Sequence, residues 1–171
     1  GRGAHFKCLV CGEIAPDQHI KDEGMAGRMG AQLMAIVAEG TEGRVYIDPT
    51  WEHEEAAVQA KPERVPDTDL PEKALGFRVQ LYGMTKHRDL FTDRQLVALT
   101  TFSDLVGEAR EQVRRDAVAA GVPDDCVSLA AGGTSATAYA DAVATYLALA
   151  VDRGADAWSA LATWIQTLEA I

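Results

Sequence analysis

The sequence predicts a mostly helical α+β fold, with a long amphipathic helix packed on a buried helix after a small N-terminal β-hairpin and a half zinc-ribbon-like start. Three observations predict it. Leu96, Leu99, Phe102, Val106, Ala109 and Val113 recur at three- and four-residue intervals, the period of one helix face. Between Thr134 and Val151 only Asp141 is charged, so a helix there is apolar nearly all round. Gly40-Thr41-Glu42-Gly43 separates two apolar runs and reads as a hairpin turn.

Each element follows from local sequence. In the first hairpin strand Leu33, Ala35 and Val37 alternate with Gln32, Met34 and Ile36, which predicts cover on both faces. The Ala, Leu and Met content leaves a helix over 29–39 as the alternative. After Pro49, WEHEEAAVQAK reads as a short acidic helix ending before Pro62. Residues 61–76 contain Pro62, Pro66 and Pro71 among charges and read as an exposed connection. FRVQLYGM reads as a strand with Phe77, Val79 and Leu81 on one face.

Thr92-Asp93-Arg94-Gln95 is a capping box that opens the long helix. Gly121 and Pro123 stop it, so 93–120 spans roughly 42 Å. Gly132-Gly133 precedes the apolar helix 134–151, which is too short, alanine-rich and polar for a membrane span. A further helix over 156–170 carries Trp158, Leu161, Trp164, Ile165 and Leu168. The chain thus divides into 1–50, 51–76 and a helical region 77–171.

Composition narrows the function. The 171 residues are 47% hydrophobic and 25% charged, as in an ordinary globular domain. The net charge of −10 argues against a free-standing nucleic-acid binder, which needs a basic face. The acid is concentrated in 39–72, with three basic and ten acidic residues, while 73–120 carries eight basic and six acidic. Only that stretch could meet a polyanion, and Arg78, Lys86, Arg88 and Arg94 are its candidate DNA contacts. Three cysteines are too few for a disulfide scaffold and predict a reducing cytoplasm. The N-terminus lacks the apolar segment of a signal peptide, and it opens on glycine rather than methionine, which suggests a piece of a longer polypeptide.

One motif carries chemistry. Cys8-Leu9-Val10-Cys11-Gly12 has the spacing with which two thiolates hold one tetrahedral zinc from a tight turn. Four ligands are needed and no second such pair follows. His5 and His19 could complete the site, a partner pair could lie upstream in a longer protein, or the thiols could hold no metal. Gly132-Gly133-Thr134 lacks the preceding strand of a phosphate cradle. Asp48-Pro49-Thr50-Trp51 invites comparison with the motif that holds a target amine, but Thr50 replaces a proline and a strand-ending turn fits better. Asp141 predicts an acid satisfied by a neighbouring hydroxyl or cation, Thr145 being one turn away.

Four strings, EGMAGRMGAQLMAIVAEG, GRVYIDPTWEHE, LFTDRQLVALTTFSDLV and TAYADAVATYLALAVDR, resemble the interior of adenine-specific DNA methylases containing a zinc ribbon. The likeness runs from about Cys8 to the end. In that family an FAGGGS-like S-adenosylmethionine loop lies upstream of this region and the catalytic DPPY motif lies downstream. Neither is present here, so the resemblance implies no catalytic or cofactor-binding residue in this chain. It implies that Cys8 and Cys11 form the second half of a ribbon. It further implies a target-recognition or DNA-clamping insertion that meets DNA through the parent protein and contacts the catalytic core of the same polypeptide. The acidic balance favours the alternative, a helical scaffolding or interaction module without DNA contact. A contiguous basic face would support the first, and an exposed apolar patch the second.

Overall fold

A computed structural model of the protein describes residues 5–73 and 78–162. It is mostly helical with two small antiparallel two-stranded sheets, the α+β class expected. The chain forms two compact units, one of Gly1–Gln59 with Pro66–Thr92 and one of Ala60–Val65 with Asp93–Ile171.

The first unit begins with strands β1 (His5–Lys7) and β2 (Ile14–Pro16), paired with Phe6 opposite Ala15. Pro16 is extended (φ −70°) and leads into helix α1 (Asp17–Met25), where a proline costs no helical hydrogen bond. Its first turn carries Asp17, favourable at the positive end of the helix dipole and paired with Lys21 one turn on. Nothing in the hydrophobic period announced this helix, because its buried residue is a glycine. A Cβ on Gly24 would lie 2.5 Å from the carbonyl oxygen of Tyr82, so only glycine permits this backbone approach. Gly83, at φ +83°, closes the same contact from the other side. The Tyr82 hydroxyl donates to Asp17 (3.3 Å).

Strands β3 (Ile36–Gly40) and β4 (Gly43–Ile47) form the expected hairpin, with Gly40 paired to Gly43 across a two-residue turn, but the first strand begins at Ile36, so the predicted strand residues 32–35 lie outside it. Gly43 has φ +125°, which explains glycine there. Cover on both faces is not found: β3 alternates half-buried and exposed residues, and every residue of β4 is exposed. Helix α2 (Trp51–Gln59) follows as expected.

Two expectations fail in the rest of this unit. Val79–Tyr82 is a 3-10 turn rather than a strand, because no strand lies beside it and Gly83 turns the chain at once. Phe77 lies outside the described residues. The 61–76 connection is not wholly exposed either: Leu70 is buried, and its amide donates to the Thr85 carbonyl (2.8 Å). The amides of His87 and Arg88 donate to the carbonyls of Thr68 and Pro66 (both 3.0 Å), latching 66–70 onto 85–88.

The second unit is built on helices α3 (Asp93–Ala119) and α4 (Ala136–Trp158). Gly121 (φ +91°) ends α3 where predicted, with Gly121 N–H donating to Val118 O and Val122 N–H to Ala117 O. The two helices run antiparallel, since Arg110 meets Asp141 while the earlier Phe102 stacks on the later Trp158 (centroids 5.4 Å). Helix α4 continues through the gap predicted between 151 and 156. Asp156 there pairs with Arg153 (2.9 Å), and the Trp158 ring covers Gly154. Helix α4 ends at Trp158, so the last helix predicted over 156–170 is not a separate element and residues 159–162, with Leu161, are not helical; Trp164, Ile165 and Leu168 lie outside the described residues.

Burial in this unit lies near both ends of α3 and at the start of α4. Leu96, Ala117, Ala136, Ala138 and Ala140 are buried, whereas residues 145–150 of α4 and 101–105 of α3 are all exposed. The apolar helix is therefore covered at its start and bare in its middle. Among the described residues no helix is long and apolar enough to cross a membrane.

Candidate functional site

The β1–β2 hairpin exists to turn at Cys8-Leu9-Val10-Cys11-Gly12. Cys8 N–H donates to the Glu13 carbonyl (2.8 Å), and Gly12 N–H donates back to the Cys8 carbonyl (3.0 Å). Gly12 adopts φ +75°, a conformation that glycine reaches without strain. The Cys11 amide first, then that of Val10, pulls the Cys8 thiol below its ordinary pKa of 9.0. Both thiols are free and exposed. This backbone arrangement stabilises a thiolate before any metal arrives, and two such sulfurs supply half of a tetrahedral zinc shell.

The other expected ligands do not assemble. Among the described residues no group of three or more His, Cys, Asp or Glu side chains could hold a metal ion, so His19 does not join the two thiols. The side chain of His5 lies outside the described residues.

The basic candidates are placed less favourably for a polyanion. Lys86 Nζ lies 3.3 Å from Asp67 Oδ2 and 3.6 Å from Asp69 Oδ1. Arg88 lies 3.5 Å from Asp67 Oδ1 and 3.8 Å from Asp89 Oδ1. Three carboxylates thus neutralise two cations, and the hydrogen bond to Asp67 holds Lys86 above its usual pKa. Arg78 is exposed in the same unit, and Arg94 is exposed in the first turn of α3 in the other.

Several sequence candidates serve structure instead. Asp141 is satisfied by Arg110 Nε (2.6 Å) and by the Leu129 amide (2.9 Å), whereas Thr145 donates to the Asp141 backbone carbonyl. The Leu129 amide and then Arg110 hold the Asp141 carboxyl below its usual range. Asp124 accepts from Thr137 Oγ1 (2.6 Å), Arg114 Nη1 (2.8 Å) and the Cys126 amide (3.1 Å). The Thr137 hydroxyl, then Arg114, lowers its pKa to about 2. Asp125 accepts from Ser135 and from the Val127 amide. The Gly132-Gly133 turn is packing, not a cradle: a Cβ on Gly133 would lie 2.1 Å from the Val127 carbonyl oxygen. The chain leaves β4 at Ile47, and Thr50 precedes α2 with its amide donating to His53 Nδ1 (3.0 Å), as the strand-ending reading predicts.

The sequence reading did not single out the open groove between α3 and α4. It has a volume of about 380 Å³, and Phe102, Leu105, Val106, Leu147, Val151 and Trp158 line it. The signal was present in the all-round apolarity of 134–151, which was read as burial. Neither known protein families nor curated proteins nor solved structures give a match to this chain.

Proposed function

We propose that the chain is a non-catalytic segment of an S-adenosylmethionine-dependent adenine-specific DNA methyltransferase, fixed to the rest of its polypeptide through a shared zinc site. The observation that supports the reading is the Cys8–Cys11 turn. It presents two exposed thiols on one tight turn, with the Cys8 thiol held below its ordinary pKa by the neighbouring amides, and no third ligand gathers beside them among the described residues. A half-site of this kind suits a ribbon whose other pair lies elsewhere, as the family resemblance implies. Zinc would be held by Cys8 and Cys11 and would contribute fold stability rather than chemistry.

Zinc titration tests this. The chain should saturate at one zinc per two molecules or fewer, and Cys11→Ser should abolish binding. One zinc per molecule, lost on Cys11→Ser, would mean a complete site and remove the support. Calorimetry with S-adenosylmethionine should give no saturable heat, and micromolar affinity would overturn the non-catalytic assignment.

A second reading, a scaffolding module without DNA contact, is favoured by the pairing of Lys86 and Arg88 with Asp67, Asp69 and Asp89. A DNA-clamping role would need these cations released to phosphates. Four phosphate contacts would give a slope of roughly −3.6 in log affinity against log salt. On this second reading the chain shows no salt-dependent binding to duplex DNA, and Arg88→Glu with Arg94→Glu changes nothing.

A further inference from the structure

Helices α3 and α4 are joined by the Arg110–Asp141 pair and the Phe102–Trp158 stack among their contacts, and the apolar groove beside these contacts is open. Residues 101–105 and 145–150 are exposed around the full turn of each helix. The exposed side chains there include Phe102 and Leu105, both at 45%, and Tyr146 at 77%. An apolar stretch this exposed marks a surface suited to docking against another.

The charges on α3 indicate which surface. Positions eleven residues apart on a helix lie within about 20° of one face. Leu105 sits at the centre of such a line, with Arg94 eleven residues before it and Asp116 eleven residues after. Ala98 and Ala109 lie along the same line and are small enough to let another helix approach. Arg94 and Asp116 are both exposed, and neither has an ion-pair partner among the described residues. Asp116 accepts a hydrogen bond from Gln112 only through one oxygen (2.7 Å). A face with opposite charges at equal distances from its apolar centre is complementary to itself when turned end over end.

We propose that this face binds a second copy of the chain, with α3 packed antiparallel on α3 about a two-fold axis at Leu105. Arg94 of each copy then meets Asp116 of the other, and the Phe102–Leu105 region closes over its own counterpart. The line from 94 to 116 is roughly 33 Å long, and two helices present a width of about 20 Å. The product is on the order of 650 Å² per copy, a little under the roughly 800 Å² of a standard stable interface. The pairing is accordingly a weak dimer at the small end of specific interfaces.

The test is sedimentation in the presence of a chelator on a Cys8→Ser, Cys11→Ser chain, so that zinc shared between thiols cannot mimic the contact. Its outcome is thereby independent of the zinc half-site. A monomer–dimer equilibrium is expected, and Leu105→Asp should abolish it. Arg94→Asp and Asp116→Arg should each weaken association by about tenfold, because like charges then face one another. The double variant Arg94→Asp, Asp116→Arg restores the pair with reversed sign and should recover the parent affinity. Circular dichroism establishes that each variant is folded, since all three positions are exposed. A chain that stays monomeric to about 500 µM, where even a weak specific dimer would be populated, overturns the proposal. So does a double variant no better than the singles, which would leave the face to a different partner.

Discussion

At the scale of the residue, two glycines of similar appearance in the sequence have opposite requirements. Gly24 lies against the Tyr82 carbonyl, and a methyl group there has no room because its neighbour is backbone. Gly24→Ala should destabilise the first unit by about 1–3 kcal/mol, the range for overpacking, measured by urea unfolding. Gly107 is inside α3 with nothing within 4 Å of its Cβ position. Gly107→Ala should stabilise by about 0.5–1 kcal/mol through helix propensity alone, in the same measurement. The sequence shows both as glycine, and only the approach of a distant carbonyl separates them.

The same scale explains Asp124. Its carboxyl has a pKa of about 2 in the fold against 3.8 in the free side chain, owing first to the Thr137 hydroxyl and then to Arg114. A depressed acid contributes stability that is present above the unfolded value and lost as pH falls through the folded one. The contribution is therefore complete above about pH 4 and disappears between about pH 4 and pH 2. Thr137→Val should move the Asp124 titration upward, read by carboxyl NMR, and make acid unfolding begin at higher pH. An unchanged titration would mean that Arg114 and the Cys126 amide hold the carboxylate without the hydroxyl.

At the scale of the element, the long helix was legible because its signals are local. A capping residue type, a 3.6-residue period and a terminal glycine occur within one segment, and α3 begins and ends within a residue of the expected places. The hairpin was legible for the same reason, its turn needing a positive φ at Gly43. Helix α1 was not, because its packing residue is Gly24, which contributes nothing to a hydrophobic period. The strand expected at FRVQLYGM failed because alternation marks a strand only when a neighbouring strand exists to pair with it. Helix α4 shows the limit from the other side. Apolarity all round predicted burial all round, yet the residues bare in its middle are as apolar as those buried at its start.

Phe102 is the measurable consequence. Were it fully buried, truncation would cost about 3–5 kcal/mol. It is 45% exposed and retains one aromatic neighbour, Trp158. Phe102→Ala should therefore cost about 1–2 kcal/mol in dilute solution, where the chain is monomeric. A loss above about 3 kcal/mol at that dilution would mean that the groove is closed within the single chain.

At the scale of the whole molecule, two compact units divide the chemistry. The first carries the thiol turn and most of the acidic stretch 39–72, and the second carries the helix pair and its open groove. The cations that seemed free in the sequence are distributed over both. Lys86 and Arg88 are held by carboxylates from the segment latched beside them, so their positive charge is largely cancelled where it stands. Reversing Asp67 to Lys should release both, and duplex DNA binding should then appear with a measurable salt slope if these cations can reach phosphates. No binding by Asp67→Lys would separate this patch from DNA altogether.

The sequence by itself determined what depends on neighbours within a few residues: the mostly helical class, the span of α3, the hairpin turn, and the thiol pair on a tight turn. Tertiary structure decided what depends on partners far along the chain. It placed Gly24 against Tyr82, gave Asp141 to Arg110 rather than to Thr145, tied Lys86 and Arg88 to acids some twenty residues away, and left the middle of the most apolar helix bare. The physical reason is the same in each case. Backbone preference and periodicity act over a turn or two, whereas burial, charge pairing and ligand assembly are set by which distant surfaces meet.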